Sequence, residues 1–226
     1  MELATGRRVG VEALVRWQRS GRVVGPDSFI AIAEESGVIT QITACVIEIV
    51  AADLPVLLKA DPNFIVAINL SVTDLCSTQT AELFVSLLKR NGIKLANIKV
   101  EATARGFLQD AKARVILAAI RELGVEVAID DFGTGYSSLA CLETLSLDAL
   151  KIDKAFVDTI GTDGATSHVA SHIISMAHSL DLIMVAEGVE TEAQLEFLRR
   201  NGVEFAQGWL FGKPMSLSSL RVECKN

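Results

Sequence analysis

Paired cysteine, histidine, proline and positive charge are all scarce in this chain, and each shortage removes a class of explanation. The four cysteines, Cys45, Cys76, Cys141 and Cys224, are far apart. None belongs to a CxxC pair or has a histidine at metal spacing. Zinc is disfavoured, and reduced, buried thiols are expected. The three histidines, His168, His172 and His178, fall in one segment. No HExxH-type acid separates the first two, so a solvated helix face is preferred to a metal pair. Four prolines and no Ser/Pro-rich stretch leave no obvious linker in 226 residues, which favours one domain over 1–226. Mean hydropathy is high at +0.39, yet no apolar run reaches the roughly 18 residues of a spanning helix. The opening MELATGRRVG lacks the apolar core of a signal peptide. Acids outnumber bases 28 to 21, a net charge of −7, which disfavours binding a nucleic-acid polymer through a basic surface. The expected setting is cytoplasmic: a single domain excised from a larger multidomain protein, membrane-anchored elsewhere or not, with no membrane contact of its own.

What is present is a regular alternation. Apolar strand-like runs at Arg8–Arg16, Phe64–Leu70, Asn97–Thr103, Val125–Asp131, Leu147–Asp153, Leu182–Ala186 and Val203–Leu210 are separated by helical stretches. The helices read as Ser28–Ser36, Thr40–Lys59, Thr78–Asn91, Asp110–Leu123, Ser167–Leu180 and Thr191–Asn201, the last opening on a Thr191/Gln194 capping box. Such βα repetition predicts an α/β fold with a parallel sheet. About seven units in one domain favour a (β/α) barrel. No GxGxxG or GxxxxGK[ST] lies at a strand-to-helix turn, so nucleotide-binding folds of those kinds lose support.

In a barrel the C-terminal strand ends converge on one mouth. Here those ends carry Glu12, Asn69, Glu101, Asp130, Asp131, Lys151, Glu187 and Gln207. Adjacent carboxylates such as Asp130 and Asp131 repel unless a cation or a proton intervenes. Oxygen ligands without His or Cys suit Mg²⁺ or Mn²⁺, as one ion or two. Such ions turn an acidic mouth into an anion site and can serve phosphodiester hydrolysis.

Six ordered motifs then become recognisable: EALVRW (Glu12–Trp17), INLS (Ile68–Ser71), DDFGTGYSSL (Asp130–Leu139), LKIDK (Leu150–Lys154), AEGVE (Ala186–Glu190) and QGWLFGKPM (Gln207–Met215). Over essentially its whole length the chain resembles the EAL domain family. The resemblance implies a bacterial signal-transduction phosphodiesterase that hydrolyses cyclic di-GMP to linear pGpG. It implies Mg²⁺ or Mn²⁺ on a modified (β/α)8, TIM-like barrel. Glu12, Asn69, Glu101, Asp130 and Asp131 would be metal ligands. Lys151 would position the catalytic water, with Glu187 as metal-site acid or general base supported by Glu190. Leu14, Arg16 and Gln207 would meet substrate. The glycine-rich loop Phe132–Ser138 would be a gate, and the region Ser137–Leu147 a homodimer contact.

Two departures from the family pattern stand out. The third strand reads Glu101-Ala102-Thr103-Ala104 where the family has a second glutamate, so Asp131 and the loop are expected to be loosened. The aromatic-Gln-Pro strand that precedes the EAL strand is not in the sequence, so the barrel is expected to be one strand short. These departures keep open a catalytically weak or inactive EAL domain that acts as a cyclic di-GMP receptor. A blander alternative is an unrelated metal-dependent barrel lyase.

Overall fold

The computed structural model describes residues 1–103, 111–132, 147–162 and 168–223. Its central element is a seven-stranded sheet. The members are β1 (Gly10–Ala13), β4 (Ile65–Asn69), β5 (Ile98–Thr103), β6 (Glu126–Phe132), β7 (Ala149–Ile152), β8 (Ile183–Ala186) and β9 (Phe205–Ala206), in that spatial order. Every neighbouring pair is parallel. Parallel strands need crossovers, supplied here mainly by α2 (Ile39–Leu58), α4 (Thr78–Arg90), α5 (Ala111–Glu122), α7 (Val169–Ser179) and α8 (Glu192–Arg200). The sheet curls until its two edge strands approach: Gln207, just past β9, donates to Glu12 of β1 at 2.8 Å.

The central strands β5 and β7 are buried on both faces, with two different chemistries. On β5, Ile98, Val100 and Ala102 alternate with Lys99 and Glu101. On β7, Leu150 and Ile152 alternate with Ala149 and Lys151. Side chains alternate across a strand, and Lys151 bonds Glu101, so the polar set shares the inner face. The apolar set packs outward in a core with Ile47, Leu54, Leu117, Ile120, Ile174 and Leu198. Full burial of each such side chain contributes roughly 1.5–3 kcal/mol.

The sheet has one local irregularity, and it falls on the paired acids. Ile129 pairs with Leu150, but Phe132 pairs with Ile152. Asp130 and Asp131 together therefore oppose the single residue Lys151. A bulge of this kind bends its strand and re-aims side chains.

The structure corrects several boundaries. The first predicted strand ends at Ala13, and an antiparallel hairpin follows, β2 (Trp17–Arg19) with β3 (Arg22–Val24). Its two turn residues, Ser20 and Gly21, both have positive φ, 48° and 75°, as tight hairpin turns require. The last predicted strand shortens to two residues. Short helices α1 (Ile30–Glu35), α3 (Val72–Leu75), α6 (Lys154–Val157) and α9 (Leu217–Glu223) and the 3₁₀ turns Pro26–Ser28 and Leu95–Asn97 complete the described elements; α3, α6 and α9 were not foreseen. Cys45 is exposed and Cys76 half-buried, against the expectation of buried thiols; the other two cysteines lie outside the described residues. The three histidines are exposed, as a solvated face requires.

The expected missing strand has a partial counterpart. Met1 and Ala206 exchange two backbone hydrogen bonds, and the Leu3 amide donates to Glu204. Residues 1–3 thus lie antiparallel along β9, and the Glu2–Arg7 turn leads from there into β1. One helix, α2, is long and apolar enough to cross a membrane. Here it packs on β4, α3 and α4, with Ile47, Ala51 and Leu54 buried.

Candidate active site

Lys151 is the centre of the mouth. It sits on β7 with 1% of its side chain exposed. Its Nζ donates to Glu101 Oε2 at 2.6 Å and also bonds Glu187. Asp130 Oδ2 lies 3.3 Å away and Glu12 Oε2 3.6 Å away. These four carboxylates come from β5, the end of β8, β6 and β1. A second tier holds them in place. Asn69 Nδ2 donates to Glu12 Oε1 at 2.6 Å. Gln207 Nε2 donates to Glu12 Oε2 at 2.8 Å and to Glu187 Oε1 at 3.3 Å. The structure thus brings together seven of the eight strand-end residues. The side chain of Asp131, Ala104 and the loop 133–146 lie outside the described residues.

The charges do not balance. Four carboxylates face one ammonium in a nearly dry place. Burial alone would lower the Lys151 ammonium, but Glu101, Glu12, Glu187 and Asp130 outweigh it and raise it well above its ordinary value. Burial pushes the Glu101 carboxyl up to about 7, with Glu12 and Asp130 adding to the rise and Lys151 opposing it. Burial likewise lifts Glu187 to about 8, helped by Asp130 and Glu12 against Lys151. Burial first, and then acids that one ammonium does not offset, thus favour the protonated form of Glu101 and Glu187.

That deficit is the test of fit for a divalent ion. The donors are hard oxygens, with no histidine or thiolate among them, which matches Mg²⁺ or Mn²⁺ in kind. Among the described residues no three acids stand ready to hold an ion without rearrangement. The ammonium occupies the common centre instead.

The end of the sheet is laced tightly around Glu187. Its amide donates to Ile152 O, the Gln207 amide to Ala186 O, and the Val189 amide to Gln207 O. Gly188 has φ +65°, and a Cβ there would fall 2.4 Å from Lys154 Cγ. Gly208 is pressed so closely on Val189 that a Cβ would come within 2.2 Å of its backbone. Neither position tolerates a side chain without displacement.

Three other sequence-predicted residues stand apart from the cluster. Glu190 pairs with Lys154 at 2.9 Å, which also bonds Asp158, and the Glu190 amide donates to Gln194. Its described contacts make it a brace of the β8 turn. Leu14, 43% exposed, and Arg16, also exposed, lie beyond the end of β1. Arg16 donates to Val15 O. Both are open to solvent. Sequence reasoning missed Lys154 as the partner of Glu190; the two are 36 residues apart, and the i,i+4 spacing of Lys154 signals only its pair with Asp158. Two clefts of about 340 and 360 Å³ lie elsewhere, one beside Arg8, Asp61 and Phe211, the other beside Arg121, Glu126 and Asp148. The second is also lined by Glu122, but its Glu126 and Asp148 are each paired with a base, Lys99 at 3.0 Å and Arg121 at 2.8 Å, so the chemistry is assigned to the strand-end cluster, where four acids share one.

Comparison with known proteins agrees with this architecture. The family model described as "EAL domain" matches residues 1–214. The chain belongs to the EAL domain family. It is 41% identical over 216 residues to the probable cyclic di-GMP phosphodiesterase PdeB of Escherichia coli, covering 95% of this chain and 41% of that protein. It is 40% identical over 223 residues to the cyclic di-GMP phosphodiesterase NbdA of Pseudomonas aeruginosa, covering 97% of this chain and 28% of that protein. This EAL domain thus spans less than half the length of those relatives. The structure of the EAL enzyme Bd1971 with cAMP and cyclic di-GMP bound superposes with a TM-score of 0.94 at 32% identity, covering 99% of this chain and 62% of that one. The PaMucR phosphodiesterase in complex with c-di-GMP gives 0.87 at 36% identity, covering 94% and 87%. The TIM-like barrel expected from the sequence is the fold of these neighbours.

Proposed function

We propose that this EAL domain is a metal-dependent phosphodiesterase that hydrolyses cyclic di-GMP to linear pGpG. The observation that carries the reading is the carboxylate excess around Lys151 at the strand ends. Glu12, Asn69, Glu101, Asp130 and Asp131 would hold Mg²⁺ or Mn²⁺, one ion or two. When bound, the ion supplies Lewis acidity and lowers the pKa of water. The chain's own groups do the rest. Lys151, kept charged by its neighbours, neutralises the acids and presents N–H donors to an attacking oxygen or a phosphate. Glu187, lifted to about 8, sits near the pH at which a carboxylate best trades a proton with water. Gln207 fixes Glu187 and Glu12 relative to one another. Leu14 and Arg16 meet the nucleotide at the rim.

The decisive experiment follows pGpG formation from cyclic di-GMP with Mn²⁺, with and without EDTA. Product that depends on Mn²⁺ is expected. Glu187→Gln is expected to lower kcat by roughly 100-fold or more and to leave nucleotide binding within a few fold.

The receptor reading is the one alternative favoured by a specific residue, Ala104. Tight cyclic di-GMP binding with no product under excess Mn²⁺ would establish it. Ala104→Glu, which restores the family's second glutamate, is expected to raise turnover; an unchanged rate rejects the account of a loosened loop. The proposal also places the domain in the cytoplasm as part of a larger protein, without membrane contact of its own. It includes a homodimer through the region 137–147, checked by light scattering on the purified protein.

A further inference from the structure

Asp74 is the buried acid that the proposed chemistry leaves unused. It is 1% exposed. Its Oδ2 accepts three hydrogen bonds, from the Ser71 amide at 2.9 Å, Ser71 Oγ at 2.6 Å and Thr43 Oγ1 of α2 at 2.9 Å. Its Oδ1 is buried with no partner among the described residues. Formally Asp74 closes a capping box on α3. That role does not require an acid. Gln194 closes the equivalent box on α8 as a neutral amide, and α3 is only four residues long. Burying a carboxylate costs several kcal/mol before pairing, so helix capping alone is a poor account of it.

The segment being held explains it better. Ser71 follows Asn69 by two residues. Asn69 ends β4 in register with Glu101 and donates to Glu12. Leu70, between them, gives its amide to Glu101 O. One side of the Asn69–Ser71 segment is thus tied to the sheet. Asp74 ties the other side to the helical layer, through Thr43.

We infer that Asp74 is a positioning residue for Asn69. It acts by fixing Ser71 and anchoring that turn to Thr43 on α2. The inference rests on Asn69 serving as a ligand in the proposed site. It assigns Asp74 no contact with substrate or ion.

The test is Mn²⁺ affinity by calorimetry on purified variants, alongside kcat, KM and Tm. Asp74→Ala is expected to weaken Mn²⁺ binding and lower kcat by about tenfold or more, as loss of a ligand's outer partner does. KM for cyclic di-GMP should change less than kcat. Asp74→Asn retains an acceptor for Ser71 and should recover most of both losses. Should Asp74→Ala fold poorly, Thr43→Val removes only the outer tie and should weaken Mn²⁺ binding by about threefold. A fall in Tm with Mn²⁺ affinity and kcat unchanged, read well below Tm, overturns the inference and leaves Asp74 a structural cap. A wild-type protein that binds Mn²⁺ but yields no pGpG sinks the phosphodiesterase reading instead, and the affinity comparison still decides the role of Asp74.

Discussion

Lys151→Met is expected to abolish measurable turnover and to make folding depend on protons or divalent metal. Methionine keeps much of the buried stem but removes the one ammonium among Glu12, Glu101, Asp130 and Glu187. Breaking a buried ion pair from one side costs about 3–5 kcal/mol, because the charges left behind stay unpaired. Four acids share this ammonium, so the variant must take up protons, bind metal or unfold. Loss of a single preorganised donor at a reacting oxygen commonly costs 100- to 1000-fold, and a drop of at least about 100-fold in kcat is expected here. Two measurements separate stability from chemistry. Thermal melts at pH 7.5 should show a lowered Tm that Mn²⁺ partly restores. Turnover should remain absent in the restored protein. Lys151→Arg should not rescue it. The planar guanidinium is larger and needs a different geometry, and the slot is closed to solvent. A Lys151→Met protein that hydrolyses cyclic di-GMP at a wild-type rate would remove the ammonium from the proposed chemistry.

The fold was legible in the sequence wherever local pattern decides structure. All seven strands of the main sheet fall where apolar runs end in a polar residue. The Thr191/Gln194 box forms as written, with both of its hydrogen bonds in place. The identities of the mouth residues were legible for the same reason, since a parallel barrel gathers strand ends. Their arrangement was not. Asp130 and Asp131 read as two neighbours on one strand, and only the ladder shows that they share one partner, Lys151. Glu187 and Glu190 read as one acidic pair. Yet Gly188, at φ +65°, turns the chain so that Glu187 enters the cluster and Glu190 pairs with Lys154. The β2–β3 hairpin lies between the predicted strand Arg8–Arg16 and the predicted helix at Ser28, in a stretch to which no element had been assigned. Its Ser20-Gly21 turn is a short-range signal, but the exposed residues around it gave no periodicity to mark the strands. Asp74 carried a readable Ser-x-x-Asp cap signature. Its link to Thr43, 31 residues earlier in the chain, could come only from the tertiary fold.

The metal-free protein should lose stability as pH rises from about 5 to 8, and divalent metal should reverse that loss most strongly at the alkaline end. Burial raises the Glu101 and Glu187 carboxyls from an ordinary 4.5 to about 7 and about 8. The folded state therefore binds more protons than the unfolded chain across that window, and stability falls as pH rises through it. Below about 4.5 both states are protonated and the favourable contribution is complete; above about 8 it is gone. A tenfold difference in proton affinity between folded and unfolded chain is worth about 1.4 kcal/mol. Glu101 and Glu187 share the Lys151 ammonium, so their contributions do not simply add, and on the order of 3 kcal/mol is expected for the pair. For a chain of this size that is several degrees in Tm. A divalent cation neutralises the same carboxylates that protons would. Mn²⁺ should thus raise Tm little at pH 5.5 and by several degrees at pH 8, and its binding at pH 7 should release protons measurable by calorimetry in buffers of different ionisation heat. Glu187→Gln keeps an acceptor for Lys151 and Gln207 but cannot titrate, so it should flatten the pH dependence and reduce proton release. A metal-free Tm that stays level or climbs between pH 5 and 8, with no proton release on adding Mn²⁺, would show that these carboxylates are ionised in the folded protein without a cation.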